Sequence, residues 1–436
     1  MKIAVVGAGI AGLSCAYRLA QAGQDVTLYE AGAYFGGHSH TVDVTLDGVT
    51  HGVDTGFLVF NHATYPNLVQ LFDELGVEAA DSDMSFSVKM PMGASPDARV
   101  LEWAGASLDT VFAQRSNLLR PAFLRLLRDI LRFNGQASAI ATAALPAPAL
   151  SLGEFLDLHG YGEEVRHWYL LPMAACIWSC PARQMLAFPL ATFIRFCHNH
   201  GLLQVNDRPQ WRTVRGGSRV YVEKLLAGIP QQRLACPVLA VRRQPQGGAR
   251  MIELHTAAGV EHADHVVLAC HSDQALALLG DLRDEERQVL AAVRYQPNRA
   301  VLHTDASCLP RRRKAWSAWN YQGRAAQDGE APQVCVHYLL NQLQPLPFST
   351  PVLVSLNPLD EPDPAAIIDE FSYAHPVFDG AAIAAQARLA GFQGTQHTWF
   401  AGAWTGYGFH EDGLKSGLGV AAALNAMAAA EHYHAA

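Results

Sequence analysis

Three glycines, Gly7, Gly9 and Gly12, and an acidic residue, Glu30, have the types and spacing needed to bind a dinucleotide. Gly7 would allow a tight turn, Gly9 would let the backbone approach a pyrophosphate, and Gly12 would let a helix pack closely on a strand. A helix that begins here would direct free N–H groups and the positive end of its dipole at the phosphates. The Glu30 carboxylate would accept hydrogen bonds from a ribose diol and repel a 2′-phosphate, which favours FAD or NAD over NADP.

The elements that must position these residues follow in register. The β-branched run Ile3–Val6 predicts a strand that enters the glycine turn, and Leu13–Ala22 predicts a helix that Gly23 ends. Val26–Tyr29 predicts a second strand that ends at Glu30. Because all of these occur in the required order, a dinucleotide-binding βαβ unit is far better supported than a glycine-rich turn or a signal peptide.

Composition narrows the class of protein further. At 436 residues, the chain is long enough for two or more domains, and its net charge of −8 argues against nucleic acid as a partner. The eight cysteines show neither a CxxC pair nor zinc-ligand spacing, so we expect buried thiols in the cytoplasm and no metal site. Because no run of about 18 apolar residues occurs, we expect no membrane-spanning segment.

The remaining chain predicts alternating structure. Expected elements are a hairpin around the turn Asp47-Gly48, a helix Tyr65–Leu75, amphipathic helices in 107–145, a helix Ser151–His159 with a capping box to Glu154, strands in 234–270 and 295–357, a strand Thr398–Ala401 and a helix from about Leu414. We therefore expect two interleaved domains. Residues 1–75, 206–275 and 395–436 would bind the cofactor. Residues 76–205 and 276–394 would bind the substrate, with a helical part at about 107–205.

Four blocks in chain order resemble flavoproteins of the monoamine oxidase and phytoene desaturase superfamily. They are the glycine turn with Glu30, the doublet Gly36-Gly37, the strand with its lead-in at 263–270, and the F-A-G at 400–402 followed by Gly413 and Ser416-Gly417. Together the blocks span the chain, and they favour FAD over NAD. The resemblance implies an α/β (α+β) fold in which a Rossmann-like FAD-binding domain, of the glutathione-reductase/p-hydroxybenzoate-hydroxylase type, is interleaved with a mixed substrate domain.

The resemblance also implies which residues hold a non-covalent FAD. Gly36-Gly37 would approach the pyrophosphate and the ribityl chain, Val238 would lie near the adenine, and a helix starting around Gly413 would point its N-terminus at the flavin pyrimidine. The full set of expected cofactor-binding residues is Gly7, Gly9, Ile10, Ala11, Gly12, Glu30, Ala31, Gly36, Gly37, His38, Gly56, Phe57, Val238, Cys270, Gly402, Ala403, Glu411, Asp412, Gly413, Leu414 and Ser416.

Two positions depart from the superfamily pattern. His38 stands where most members have an arginine after the glycine doublet, so it compensates less phosphate charge. Ala403 stands where most have an acidic residue after F-A-G, so the usual ribityl contact is missing or comes from Glu411 or Asp412.

Candidate reactive groups cluster in the turn before the last helix. Trp404 or Tyr407 would form a wall of the flavin site, with ordinary packing as the alternative. His410 is a candidate base, although a hydrogen-bonded structural role is commoner for such a histidine. Glu411 and Asp412 are favoured as N-terminal acids of the following helix rather than acid–base groups.

Four further blocks, WSCP at 178–181, NHGLL at 199–203, AHPVF at 374–378 and GFHEDGL at 408–414, resemble a bacterial branch of FAD oxidoreductases found with cyclopropane-fatty-acid-synthase-like methyltransferases. This resemblance implies an apolar acyl-chain substrate, such as a phospholipid, dehydrogenated at a C–C bond by hydride transfer to flavin N5. The alternatives are an amine oxidase of the same fold and a non-catalytic flavin-binding partner of a lipid methyltransferase.

Two further surfaces are open to different interpretations. Trp178, Phe193, Phe196 and Trp211 would line an acyl tunnel or form ordinary core, which is the commoner role. The arginines at 115, 120, 125, 128 and 132 are expected on a solvated helix face, with the surface of the inner membrane as the less favoured alternative. The short RRRK run at 311–314 is likewise expected in a solvated loop rather than at phosphates or lipid headgroups.

Overall fold

In the computed structural model, residues 1–92, 99–143, 150–178, 185–204, 208–243, 251–324 and 333–435 are described, without the side chains of 175–178, 333–334 and 432–435. The Ser179–Pro181 part of the WSCP block lies outside the described residues. The same holds for the side chains of Cys176 and Trp178, so the prediction that Trp178 lines a tunnel stays a prediction.

Strands and helices alternate along most of the chain. The strands are β1 (Lys2–Val6), β2 (Asp25–Tyr29), β3 (Thr41–Leu46), β4 (Val49–Asp54), β5 (Phe60–Asn61), β6 (Ala79–Ser82), β7 (Phe86–Pro91), β8 (Val100–Ala104), β9 (Trp211–Val214), β10 (Gln231–Arg233), β11 (Val238–Arg243), β12 (Ile252–Thr256), β13 (Gly259–Ala263), β14 (His265–Leu268), β15 (Arg294–His303), β16 (Trp319–Arg324), β17 (Gln333–Leu339), β18 (Leu353–Leu356), β19 (Ile367–Val377) and β20 (Thr398–Phe400). The α-helices are α1 (Ile10–Gln21), α2 (Pro66–Leu75), α3 (Leu108–Val111), α4 (Pro121–Thr142), α5 (Leu152–Leu158), α6 (Glu163–Val165), α7 (Leu171–Trp178), α8 (Leu190–Asn199), α9 (Arg219–Ala227), α10 (Ser272–Leu278), α11 (Asp284–Ala292), α12 (Leu340–Leu343), α13 (Gly380–Arg388) and α14 (His410–Ala435).

A five-stranded parallel sheet with the order β10-β2-β1-β14-β20 confirms the expected βαβ unit. Helix α1 begins at Ile10, three residues earlier than expected, and therefore includes Gly12 in its first turn. A Cβ on Gly12 would lie 1.8 Å from the carbonyl oxygen of Gly7, so only glycine permits this approach. Helix α14 lies against α1 just as closely, because a Cβ on Gly417 would be 2.1 Å from the Ala11 carbonyl oxygen.

A second sheet of seven strands has the order β19-β15-β18-β17-β16-β7-β8. Its neighbours pair antiparallel except β16 and β7, which run parallel. Within the strand region predicted at 295–357, the patterns indicated β17 and β18 but not β15 or β16, and β19 lies outside that region. Together the two sheets draw on separated parts of the chain, while the exact domain boundaries stay a prediction.

Local sequence signals are confirmed where they were strong. The hairpin β3–β4 turns at Asp47 and Gly48, both with positive φ. Gly76 ends α2 in the left-handed conformation, and Ser151 and Glu154 exchange both bonds of the capping box that starts α5. None of the described helices combines the length and apolarity needed to span a bilayer.

Candidate functional site

One cavity of about 740 Å³ opens between the two sheets. The carboxyl ends of β1, β2 and β14 form one wall, and residues of β16, β17, β18 and β19 form another. Ligands of parallel α/β sheets bind beyond the carboxyl ends of the strands, and this volume is in the range of small-molecule sites.

The glycine turn offers an anion site to this cavity. Gly7 has a φ of 101°, and a Cβ there would lie 2.8 Å from the Ala269 carbonyl oxygen. Gly9 precedes α1 without any side-chain cap, and no acidic residue lies in the first turn. Space beyond Gly9 is open, since a Cβ there would meet nothing within 4 Å. The helix N-terminus is therefore available to a pyrophosphate.

Backbone amides hold Glu30 at the end of β2. Its Oε2 accepts a hydrogen bond from Ala8 N at 2.8 Å, and its Oε1 accepts one from Gly32 N at 2.7 Å. A carboxylate has lone pairs beyond these two bonds. Because Glu30 lines the cavity, it can still accept from a ribose diol.

The glycine doublet Gly36-Gly37 packs directly against the backbone of the glycine turn. Gly36 N donates to Ala8 O at 2.8 Å, and a Cβ on Gly37 would lie 3.3 Å from Gly9 Cα. Immediately after it, the buried Nε2 of His38 has no hydrogen-bond partner. Burial holds the pKa of His38 well below its usual value, so the ring is neutral. His38 lines the cavity, and an orphaned buried polar atom in a lining residue fits a ligand that supplies the partner.

Strand β19 brings two residues to His38 that sequence reasoning missed. The ring centroids of Tyr373 and His375 lie 4.9 Å and 5.2 Å from that of His38. His375 Nδ1 accepts from the amide Nδ2 of Asn298 at 3.0 Å, so the proton of the neutral ring is on Nε2. Burial lowers the pKa of His375 to about 4. The available signal was the AHPVF block, which the sequence patterns did not place on a strand.

The predicted reactive turn does reach the cavity. Trp404, Tyr407 and His410 all line it. His410 Nε2 is paired with the Tyr221 hydroxyl at 2.7 Å, and its ring stacks on Phe57 at 3.9 Å. Burial lowers the pKa of His410 to about 3. The engaged Nε2 and the neutral ring fit the structural role that is commoner for such a histidine, and the role of His410 as a base stays a prediction.

Most of the predicted cofactor-binding residues line the same cavity. These are Gly7, Gly9, Ile10, Ala11, Glu30, Ala31, Gly36, Gly37, His38, Gly56, Phe57, Val238, Cys270, Gly402 and Ala403. Six do not: Gly12, Glu411, Asp412, Gly413, Leu414 and Ser416. Gly12 packs beneath the turn, as its predicted role requires, and Leu414 is fully buried in the core. Because α14 begins at His410, residues 413 and 414 already lie within the helix.

Neither Glu411 nor Asp412 lines the cavity, and both carboxylates have other partners, so a ribityl contact from either of them stays a prediction. Glu411 accepts from the backbone N–H groups of Asn67 and Leu68 and so caps α2. Asp412 accepts from Tyr407 N and Phe409 N, and burial raises its pKa to about 6. Both residues lie in the first turn of α14, as the sequence favoured, but Glu411 caps α2 whereas Asp412 accepts from the backbone just before α14.

Ser416 and Gly413 support the site from behind. The Ser416 hydroxyl accepts from Gly402 N at 2.8 Å, which fixes the backbone of the F-A-G block. A Cβ on Gly413 would lie 2.9 Å from Ile10 Cγ2, so a small residue is needed where α14 meets the start of α1.

Aromatic and aliphatic side chains form the substrate side of the cavity. Phe196 and Trp211, two of the predicted tunnel residues, line it, whereas Phe193 is fully buried in the core. Further lining residues there are Met84, Tyr65, Leu202, Trp319, Tyr338, Leu356, Phe378 and Phe409. Among all the described lining residues, Glu30 alone is an acid, and none is lysine or arginine.

Comparison with known proteins identifies a matching family. The sequence pattern of the flavin containing amine oxidoreductases matches residues 10–312. The 15-cis-phytoene desaturase of Synechococcus elongatus is 44% identical over 78 residues, which cover 18% of this chain and 16% of that protein. The carotenoid phi-ring synthase of Streptomyces griseus is 28% identical over 290 residues, covering 62% of this chain and 52% of that protein. The chain thus spans about half or less of the curated relatives it matches.

Solved structures share the fold over nearly the whole chain. The CLA-producing fatty acid isomerase from P. acnes has a TM-score of 0.63 at 16% identity, covering 95% of this chain and 96% of that one. The cyclohexylamine oxidase from Brevibacterium oxydans has a TM-score of 0.64 at 16% identity, covering 98% and 99%. At this identity the similarity shows the fold alone.

Proposed function

Because the chain belongs to the flavin-containing amine oxidoreductase family, a family of FAD-dependent oxidoreductases, we propose that it is a dehydrogenase acting on a C–C bond of an unsaturated or methyl-branched lipid acyl chain. The observation that carries the proposal is the uncharged, aromatic and aliphatic wall on the substrate side of the cavity. An apolar chain gains free energy by leaving water for such a wall, whereas a cationic amine would need a carboxylate that this wall lacks.

This chain's own residues suit an FAD. Glu30 would hold the adenosine ribose, the N-terminus of α1 the pyrophosphate, and His38 a polar group of the cofactor through its orphaned Nε2. The bound FAD would supply the two-electron acceptor. Cys270, which lines the cavity, has a pKa raised to about 12 by burial and so remains an unreactive thiol, in keeping with a non-covalent cofactor.

The protein's part in the reaction is to bind, orient and exclude water. Phe196, Trp211 and Phe409 would pack against the acyl chain. The rings of Phe196 and Phe409 stack on each other in the wall, with their centroids 4.7 Å apart. The neutral rings of His375 and His410 add no positive charge to the site. Orientation and water exclusion are what hydride chemistry on a carbon chain requires from a protein.

The relatives named for phytoene, zeta-carotene and carotenoid chemistry, and the solved fatty acid isomerase, support an apolar substrate. An amine oxidase is the second candidate because the solved cyclohexylamine oxidase shares the fold. That candidate expects a lysine bonded to flavin N5 through water, and the described lining residues include no lysine.

Anaerobic titration of the FAD-loaded protein tests the proposal. Detergent-solubilised phospholipid with methyl-branched unsaturated chains should bleach the flavin absorbance, and primary amines should not. Leu202→Asp places a carboxylate in the wall and should slow lipid bleaching at least tenfold, while the matched variant Leu234→Asp, on an exposed position away from the cavity, should not.

Two results would overturn the proposal. Rapid bleaching by amines with none by lipid would identify an amine oxidase. No bleaching by either substrate, together with a co-purifying methyltransferase, would identify a non-catalytic flavin-binding partner.

A further inference from the structure

Exposed leucines are concentrated in one segment of the chain, residues 108–131. Of the thirteen large hydrophobic side chains that are exposed among the described residues, five lie between residues 108 and 131. They are Leu108, Leu118, Leu119, Leu124 and Leu131, with exposures of 79%, 48%, 88%, 47% and 61%. Single exposed leucines are normal on a protein surface, but a group of this size in one segment marks an interaction site.

Helix α4 carries part of this group on its outer face. Leu124 and Leu131 are seven residues apart and therefore lie on the same side of the helix, with Arg128 between them. The opposite side, which includes Phe123 and Phe133, is fully buried in the core. A surface helix normally presents polar residues outward, and the outer face of α4 mixes its two leucines with the exposed arginines Arg125, Arg128 and Arg132.

Cationic side chains surround these leucines. They are Arg115, Arg120, Arg125, Arg128 and Arg132 on the α4 segment and Arg311, Arg312, Arg313 and Lys314 on a neighbouring turn, which a bond from Lys314 to Asp109 at 2.8 Å ties to α3. The carboxylates paired with them are Glu102, Asp109, Asp129 and Glu164. Members of this group of nine cations form ion pairs with the four carboxylates, on a chain whose net charge is −8.

We propose that this leucine–arginine segment docks the protein on the surface of an anionic phospholipid bilayer. The leucines would enter the boundary between headgroups and acyl chains, and the arginines would lie at the phosphates. The apolar leucines suit the acyl chains of such a bilayer, and the cationic side chains suit its anionic headgroups. The proposal rests on the proposed function, because a protein that takes acyl chains of phospholipids must meet the bilayer that holds them.

Vesicle flotation of the FAD-loaded full chain tests the docking. Vesicles of phosphatidylglycerol and phosphatidylcholine in equal amounts should carry the protein at 50 mM NaCl, and vesicles of phosphatidylcholine alone should bind it at least tenfold less. Raising the salt to 500 mM should release much of the protein, because screening weakens the contribution of the arginines.

Leucine variants test whether this segment is the docking surface. The double variant Leu119→Glu/Leu131→Glu should reduce binding to the mixed vesicles at least tenfold. Leu239→Glu is the matched control, since Leu239 is 60% exposed on β11, and it should bind like the wild type. All these sites are exposed, so the flavin absorbance and the unfolding midpoint should stay unchanged.

Failure of docking and failure of the proposed function give different results. Absence of binding to mixed vesicles, or equal loss of binding in the double variant and the Leu239→Glu control, overturns the docking surface. A partner protein as the true occupant would show as a leucine-dependent complex with no vesicle binding. The bleaching assay with detergent-solubilised lipid does not need a bilayer, so its failure would overturn the dehydrogenase while leaving the vesicle result standing.

Discussion

At the scale of the single residue, His38 is the departure from the superfamily pattern that bears most directly on cofactor binding. Its Nε2 is buried and unpartnered, and its low pKa makes it a neutral donor or acceptor where an arginine is usual. A buried polar group without a partner costs free energy in the protein alone, which a bound ligand can recover. We therefore expect His38 to give a bound cofactor one hydrogen bond in place of the charge interaction that an arginine would make with a phosphate.

Replacing His38 by phenylalanine keeps the ring volume and removes that bond. The dissociation constant for FAD should rise about tenfold, equivalent to about 1.4 kcal/mol, as expected for one lost hydrogen bond to a charged or polar group. Fluorescence quenching of FAD added to the apoprotein measures it. His62→Phe, at an exposed position outside the cavity, is the comparison. Unchanged affinity in His38→Phe would mean that Nε2 does not contact the cofactor.

At the scale of the element, α14 and α2 depend on each other through Glu411. Its carboxylate accepts from Asn67 N, Leu68 N and the Asn67 side chain at 2.9, 3.0 and 2.6 Å. Glu411→Ala should lower the free energy of unfolding by about 1–2 kcal/mol, because it removes the cap of α2. Urea unfolding measures the loss, and Glu431→Ala, exposed on the same helix, should change it little. Equal effects of both changes would contradict a capping role.

A chain of side chains also ties strands of the seven-stranded sheet together. Asp305 N donates to His303 Nδ1, the other nitrogen of His303 bonds Ser355 Oγ at 2.7 Å, and Ser355 bonds His337 Nδ1 at 2.6 Å. His337 Nε2 completes the chain on Gln322 Oε1 at 2.8 Å. All four ring nitrogens are therefore engaged in hydrogen bonds, although these two histidines and Cys308 place ligand atoms within 4.8 Å of one another.

Removing the central hydroxyl should be costly. Ser355→Ala leaves a donor of one buried histidine and an acceptor of the other without partners, which should lower the free energy of unfolding by about 2–4 kcal/mol. Ser372→Ala, exposed on β19, serves as the control for a serine on a strand of the same sheet. A loss below about 0.5 kcal/mol in Ser355→Ala would show that water or a shifted rotamer replaces the bonds.

The strands that sequence patterns predicted are those whose residues alternate or run apolar, such as β1 and β14. The patterns did not predict strand β19, because it is an edge strand whose sequence, IIDEFSYAHPV, carries Asp369, Glu370 and Pro376. Charges and proline are tolerated at an edge, where one side of the backbone needs no partner, and they erase the strand pattern. Tyr373 and His375 were missed for that reason, although β19 places both at the cavity.

The glycine turn, by contrast, is specified by contacts within the first forty residues. A Cβ on Gly12 would lie 1.8 Å from the Gly7 carbonyl oxygen and one on Gly36 2.5 Å from the Ser39 carbonyl oxygen, distances too short for any side chain. Gly7 is confined in addition by the distant residue Ala269. Such local constraints leave a readable spacing in the sequence. The capping bonds of Glu411 and Asp412 join α14 to distant backbone or to the turn before it, and no local pattern distinguishes those partners from a cofactor.

At the scale of the whole molecule, buried histidines make the fold sensitive to acid. Burial lowers the pKa of His200, His265, His303 and His375 to about 4 and of His337 and His410 to about 3, from a usual 6.5. At pH values between these lowered pKa values and 6.5, the unfolded chain binds more protons than the folded one. Their contribution to stability is therefore complete above about pH 6.5 and is lost as the pH falls.

Two buried carboxyl groups act in the opposite direction. Burial raises the pKa of Asp54 and of Asp412 from 3.8 to about 6, so the folded protein binds protons more readily than the unfolded chain at these sites. Acidification through this range adds stability at each of them, by about 1.4 kcal/mol for each pH unit below the folded pKa. Six histidines against two aspartates leave a net loss.

The free energy of unfolding of the FAD-saturated protein should accordingly fall between pH 7.5 and pH 5. Each fully buried histidine, such as His303 or His337, should contribute about 2 kcal/mol to the loss at pH 5, since one pKa unit corresponds to about 1.4 kcal/mol. Urea unfolding followed by tryptophan fluorescence at several pH values measures the trend. His265, His303 and His337 lie outside the cavity, so the apoprotein should show part of the same fall. A flat or rising profile in both forms would mean that the histidines titrate at ordinary values and that burial does not hold them neutral.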